Sequence, residues 1–192
     1  MRVGASGNSV MGTIHGASCK DVFERVVHDI GVPPLSFKAT DAVVVCSTVR
    51  PKGGVSRERR ILEISEVVKG PWEDDSDSVF NSLLKYNAMD DTLIPSDIID
   101  TGRSEAIQMI SKKWGITLEQ ARNEIIARGK MMEIISIAGI NSPGIMEAGN
   151  YARCMNMFRV ICEHNRQQHG TLDHNEALSK WEAWFNACIK VL

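Results

Sequence analysis

The feature that most constrains this chain is a change of hydrophobic period close to residue 100. Ahead of it, apolar residues recur at both strand and helix spacing. Beyond it, almost every apolar residue falls at helical spacing. A chain of 192 residues holds one domain, or a small domain with a helical appendage. The expectation is therefore an α/β region over residues 1–100 followed by an all-helical region over 101–192.

The α/β reading rests on particular stretches. Asn8 to His15 is a short, mostly apolar run and predicts a buried strand that ends in a loop. Cys19, Val22, Phe23, Val26, Val27 and Ile30 fall on one helical face, with Ser18 as cap and Gly31 and Pro33 as stops. Ala42 to Val49 is β-branched and predicts a buried strand. The turn residues of 51–56 lead into a second, alternating strand over 59–68, so the two should pair as a hairpin. A further strand is expected over Ser78 to Tyr86.

The helical region reads as four segments. Ser104 to Trp114 is closed by Gly115. Thr117 and Gln120 have capping-box spacing and open a helix to about Ile137, ended by Gly139. Ser142 and Pro143 open a third, with Ile145, Ala148, Ala152, Met155 and Cys162 on its face. Asp173 and Glu176 fit the cap of a fourth, which carries Leu178, Trp181, Phe185, Cys188 and Leu192 along a narrow seam.

Composition excludes several classes. Apolar residues at 43% and charged residues at 24% are the balance of a globular protein rather than a disordered one. A net charge of −2 supplies no general basic field for nucleic acid. No apolar run is long enough to cross a bilayer, and MRVGASGNSVMG lacks a signal-peptide core. Five scattered cysteines suit reduced thiols in a cytosol.

Chemistry has few places to sit. The glycine-rich opening, with Gly12, Thr13, His15 and Gly16, lets backbone approach a ligand closely and ends in a histidine. A strand-end histidine also serves as a simple structural cap, and both readings stand. Arg50, Lys52, Arg57, Arg59 and Arg60 surround the 51–56 turn, where charge also guards a sheet edge. Cys162, His164, His169 and His174 match no common zinc spacing. Asp74, Asp75 and Asp77 lack the glycine and glutamate of an EF-hand loop. Met131, Met132, Met146, Met155 and Met157, with Trp181 and Trp184, read as packing residues before they read as a binding groove. The single Gly-Lys pair, Gly129-Lys130, is followed by Met131 within a helix, so the 192 residues contain no phosphate-binding P-loop.

The blocks RVGASGNSVMGTIHGASCKDVFERVVHDIGVPP, FKATDAVVVCSTVRP and RERRILEISEVVKG resemble, in this order, the type II/type IV secretion ATPases, most closely their archaeal branch. Thr13-Ile14-His15-Gly16 is similar to that family's His box, and Arg59-Arg60 with Glu63-Ile64 to its Arg-Arg and Glu-Ile strand. Residues 2–70 carry the resemblance; the helical remainder, including Lys113-Trp114-Gly115-Ile116-Thr117, looks like the C-terminal extension of archaeal members.

The resemblance implies the C-terminal half of a RecA-like P-loop ATPase core followed by a helical extension. It implies His15 and Thr13 as catalytic residues beside the γ-phosphate, with Gly12 and Gly16 lining the nucleotide. It also implies a homo-hexamer that binds ATP and Mg²⁺ and works on a membrane platform protein from the cytoplasmic face, without nucleic acid. Met1-Arg2-Val3-Gly4 resembles a stretch just after the Walker B acid. On that comparison the chain is a C-terminal fragment, inactive alone and without tight nucleotide binding. The alternative is a non-catalytic module: residues 104–128 resemble a helix-turn-helix that would set Arg122, Asn123 or Arg128 against DNA.

Overall fold

The computed structural model describes residues 10–72 and 76–189. Two compact units emerge, one ending at Leu118 and the other starting at Glu119.

In the first unit, Ser18 opens helix α1 (Cys19–Glu24) by accepting the Asp21 N–H at 3.0 Å, while the Asp21 carboxylate reaches back to the Ala17 N–H at 3.1 Å. These bonds satisfy donors that a helix start otherwise leaves open. The helix then widens into a π-turn over Arg25–Asp29, closed by the Ile30 N–H on the Arg25 carbonyl at 3.0 Å. The wider turn lets the adjacent Val26 and Val27 both bury. Gly31, at φ +75°, takes the left-handed conformation that turns the chain away. A short helix α2 (Pro34–Phe37) comes next.

Four strands form one antiparallel sheet in chain order: β1 (Ala42–Val49), β2 (Glu58–Val67), β3 (Phe80–Asn87) and β4 (Thr92–Pro95). Val45 faces Glu63 and Cys46 faces Ile61, which leaves Leu62 as an extra residue on β2. Ile64 faces Leu84 and Ser65 faces Ser82, which leaves Leu83 extra on β3. Such bulges bend a strand and re-aim the side chains beyond the bend. Ser96 fills the second one, its N–H on the Leu83 carbonyl at 2.8 Å and its hydroxyl on the Ser82 carbonyl at 2.6 Å.

The unit's core is Val22, Phe23, Val26, Val27, Phe37, Val67 and Val79, with Trp72 and Phe80 packed against it. The Phe23 ring stands edge-on to Phe37 at 5.1 Å and to Trp72 at 5.7 Å, the arrangement aromatic quadrupoles favour. Beyond the sheet come helices α3 (Asp97–Asp100) and α4 (Glu105–Trp114). Ser104 caps α4, and Gly115 closes it at φ +66°.

The second unit is built from helices α5 (Leu118–Asn141), α6 (Ala148–His169) and α7 (His174–Ile189). Its core joins Met131, Ile135, Ile145, Cys154, Phe158, Trp181 and Phe185. Trp181 stacks on Phe185 at 4.9 Å, meets Phe158 edge-on at 6.4 Å and donates its indole N–H to the Cys154 carbonyl at 3.0 Å.

Several expectations need correction. Residues 10–16 form no strand: Val10 is 61% and Met11 97% exposed. A lone run of β-formers, interrupted by Gly12, has no ladder to join among the described residues. Asn8 and Ser9 lie outside them. Helix α5 runs through Gly139 to Asn141 instead of stopping. Gly139 is there for closeness, since a Cβ would meet the Met146 Cγ at 2.6 Å. Ser142 and Pro143 open only a single 3-10 turn, Pro143–Met146, that plugs Ile145 into the core. Helix α6 starts at Ala148, and Ala148 and Ala152 face solvent while Cys154, Phe158 and Cys162 face inward. Strand β4 has no signature in the sequence, because its four residues are too short to show a period.

Candidate functional site

Gly12, Thr13 and His15 lie on the exposed segment that leads into α1. The His15 carbonyl accepts the Arg25 Nη1 at 3.0 Å, which pins the end of the segment to the helix. Gly16 is required by close approach: a Cβ there would meet the Val22 Cγ2 at 2.7 Å. Beside it lies an open depression of about 480 Å³, where His15, Arg25 and His28 face Asp21, Glu24 and Asp29. Three carboxylates against a single arginine do not fit a triphosphate, because anion sites gather donors and positive charge. The described residues near His15 therefore do not by themselves make an ATP and Mg²⁺ site.

The structure does bring two of the sequence blocks together. Glu63, from the Arg-Arg and Glu-Ile strand, reaches the start of α1, accepting the Cys19 N–H at 3.4 Å and the Ser65 hydroxyl at 2.7 Å. The Cys19 thiol is buried beside it. Burial pushes this thiol up to about 12, with the Ser65 hydrogen bond opposing and the Glu63 charge adding to the shift. Cys19 is an inert packing group at neutral pH.

Arg60 is committed elsewhere. Its guanidinium grips Asp91 through two bonds of 2.8 and 2.9 Å, and the Tyr86 hydroxyl donates to the same carboxylate at 2.8 Å. The Arg60 bond is the largest reason the Asp91 carboxyl sits down at about 2, with Tyr86 next. Asp91 adopts φ +58° in the β3–β4 turn, and the Lys52 N–H bonds the Ala88 carbonyl at 3.0 Å. Arg60 and Lys52 thus tie the two hairpin tips together, while Arg50, Arg57 and Arg59 remain exposed.

Sequence reasoning missed the most elaborate polar site in the unit. Glu66 is 1% exposed. It accepts the Ser104 hydroxyl at 2.7 Å, the Glu105 N–H at 2.9 Å, the Ala106 N–H at 3.0 Å and the Asn81 amide at 3.1 Å. Burial works against its charge, but the Ala106, Ser104, Glu105 and Asn81 donors outweigh burial and hold the carboxyl below its usual range. Glu66 therefore anchors the start of α4 on the sheet. Alternation along 59–68 sets Glu66 on a face with Leu62, Ile64 and Val68, and a carboxylate among apolar residues is the only signal the sequence offers.

In the helical unit, His174 meets Glu124 at 3.0 Å, and Arg128 meets the same carboxylate at 2.6 Å. His169 pairs with Glu176 at 3.2 Å. Both histidines are held by carboxylates, and no group of three His, Cys, Asp or Glu is arranged to hold a metal among the described residues. Burial is the main reason that the Cys162 thiol rises to about 11. Met131 is buried and Met155 and Met157 pack on the core, while Met132 and Met146 are about half exposed. The 104–128 segment straddles the two units, and Arg128 is taken up by Glu124. No described helix is long and apolar enough to cross a membrane. A scan of protein-family models and a search of curated proteins both find no match to this chain.

Proposed function

We propose that this chain is the C-terminal part of a hexameric secretion or pilus-assembly ATPase. In this reading, residues 1–100 contribute half of a RecA-like core and 101–192 a helical extension. The observation that carries it is the ordered series of blocks: Thr13-Ile14-His15-Gly16, the Ser18-capped helix, the valine-rich strand and the Arg59-Arg60 and Glu63-Ile64 strand. The pairing of those two strands, and the Glu63 contact to the start of the helix, support a common unit.

The full protein hydrolyses ATP with Mg²⁺ and turns closure around nucleotide into work on a membrane platform protein at the cytoplasmic face. Other parts of that protein supply the P-loop and the Mg²⁺ ligands, and this chain alone does not turn over. His15 senses the γ-phosphate, and Thr13, Gly12 and Gly16 shape the backbone beside it. Exposed apolar surface on such a part favours self-association.

The test starts with the coding sequence in frame upstream of Met1. If it encodes a P-loop and a Walker B acid, the longer protein should form ATP-dependent hexamers and hydrolyse ATP. In that protein His15→Ala should lower turnover at least about tenfold. It should change stability by only about 0.5 kcal/mol, since the side chain is exposed. A longer protein without ATP hydrolysis, or an unchanged turnover in His15→Ala, overturns the reading of the chain or of the histidine respectively.

A further inference from the structure

The sheet has two edges of opposite character. Strand β4 is short and ends in Pro95, which cannot donate to a further ladder. Strand β1 is twice as long, reads AVVVCSTV, and contains no charge and no proline. Five of its eight residues are exposed, Val44 at 52%. Among the described residues, β2 is its only strand neighbour. The Asp41 carbonyl accepts the Val67 N–H at 3.0 Å, so Asp41 bonds toward β2. In an antiparallel ladder alternate residues do this, and Ala42 and Val44 turn their N–H and C=O groups outward. Natural sheets guard such an edge with charge, proline or a bulge in the strand itself. Here the extra residue of the β1–β2 bulge lies on β2, and β1 stays regular.

Charge stands only at the two ends of this strand. Asp41 precedes it, with a side chain 73% exposed even though Lys69 touches it at 3.1 Å. Exposed Arg50 comes directly after it. Antiparallel pairing of two such strands sets the acidic end of each beside the basic end of the other. Parallel pairing sets like beside like. We infer that the edge of β1 pairs with the β1 edge of a second copy of this chain, antiparallel about a two-fold axis, with Val44 and Cys46 near the centre. The two-fold makes the contact closed, so that a dimer rather than a filament results. The inference stands on the edge itself and not on the motor reading. In a longer chain the edge would be offered first to that chain's own strands, so the 192-residue chain is the right sample.

The experiment is sedimentation of the 192-residue chain over a concentration series, with amide exchange read at both ends of the series. The mass should rise from 21.3 kDa to about double, and the Ala42 and Val44 amides should gain protection as it does. Val44→Lys should weaken the dimer about tenfold. Asp41→Arg and Arg50→Asp should each weaken it about fivefold, and the two together should restore it. If Val44→Lys does not fold, the charge pair decides alone. A monomer at every concentration, open-ended association without protection of Ala42 and Val44, or a double reversal that fails to restore the dimer overturns the proposal. ATP hydrolysis plays no part in this test, so it fails or succeeds separately from the motor reading.

Discussion

The two units keep their folds by different means. The first buries three polar residues among those described, Ser65, Glu66 and Ser104, and uses a carboxylate to hold a helix onto a sheet. The second buries one, Asn165, and gathers its helices around Trp181, Phe158 and Phe185. The start of a helix leaves backbone donors open, and where that start docks on the sheet it needs a polar anchor. Helices satisfy their own backbones and need mainly a well-filled interior.

The sharpest way to break this comparison is to exchange the damage. Trp181→Ala should cost about 4 kcal/mol, through the cavity and the lost bond to Cys154. The near-ultraviolet signal and amide protection should collapse in the helical unit. Protection across β1–β3 should survive if the units are held independently.

Glu66→Ala should cost the first unit about 3 kcal/mol, because Ser104, Glu105 and Ala106 lose their acceptor in a buried place. The same residue gives a pH signature. Its folded value lies below the unfolded one, so its contribution is complete above about pH 4.3. It is lost as pH falls through the lower folded value. Denaturant midpoints of the wild type should fall in this acid window, and those of Glu66→Gln should fall less.

A smaller effect is expected at the hairpin tips. The Asp91 contribution is present above about pH 3.9 and fades as pH falls through about 2. Tyr86 is held up by burial first and by its bond to Asp91 second. Asp91→Asn should therefore let the Tyr86 phenol ionise at lower pH, which its absorbance reads directly. The smallest effect belongs to Ser18→Ala, about 1 kcal/mol from the lost cap of α1, seen as a modest drop in the melting temperature.

Residues that act through local pattern were legible in the sequence. Ser18, Gly31, Ser104, Gly115 and Asp173 mark helix ends where the sequence places them, and the β1–β2 hairpin forms. The features that escaped depend on partners distant in the chain. Gly139 reads as a stop by propensity, yet its role is set by Met146 packing on it. The run from Asn8 to His15 has strand composition, but a strand exists only with a neighbour. Glu66 draws three of its four donors from residues 38 to 40 positions away, which no periodicity can reveal. The opening segment at His15 remains readable only through its resemblance, since its side chains are exposed and no side-chain partner among the described residues defines a role for them.

Asn165 carries one more consequence. Its side chain accepts the Asp173 N–H at 2.8 Å and donates to the Glu176 carboxylate at 2.7 Å, so one amide measures the distance from the end of α6 to the start of α7. Surface connections usually tolerate added or lost residues. This one does not, because any change of length between Gly170 and Asp173 would pull one of the two bonds away from the buried Asn165 amide and leave that amide short of a partner. Among descendants of this sequence, the α6–α7 turn should keep its length while its outward side chains drift.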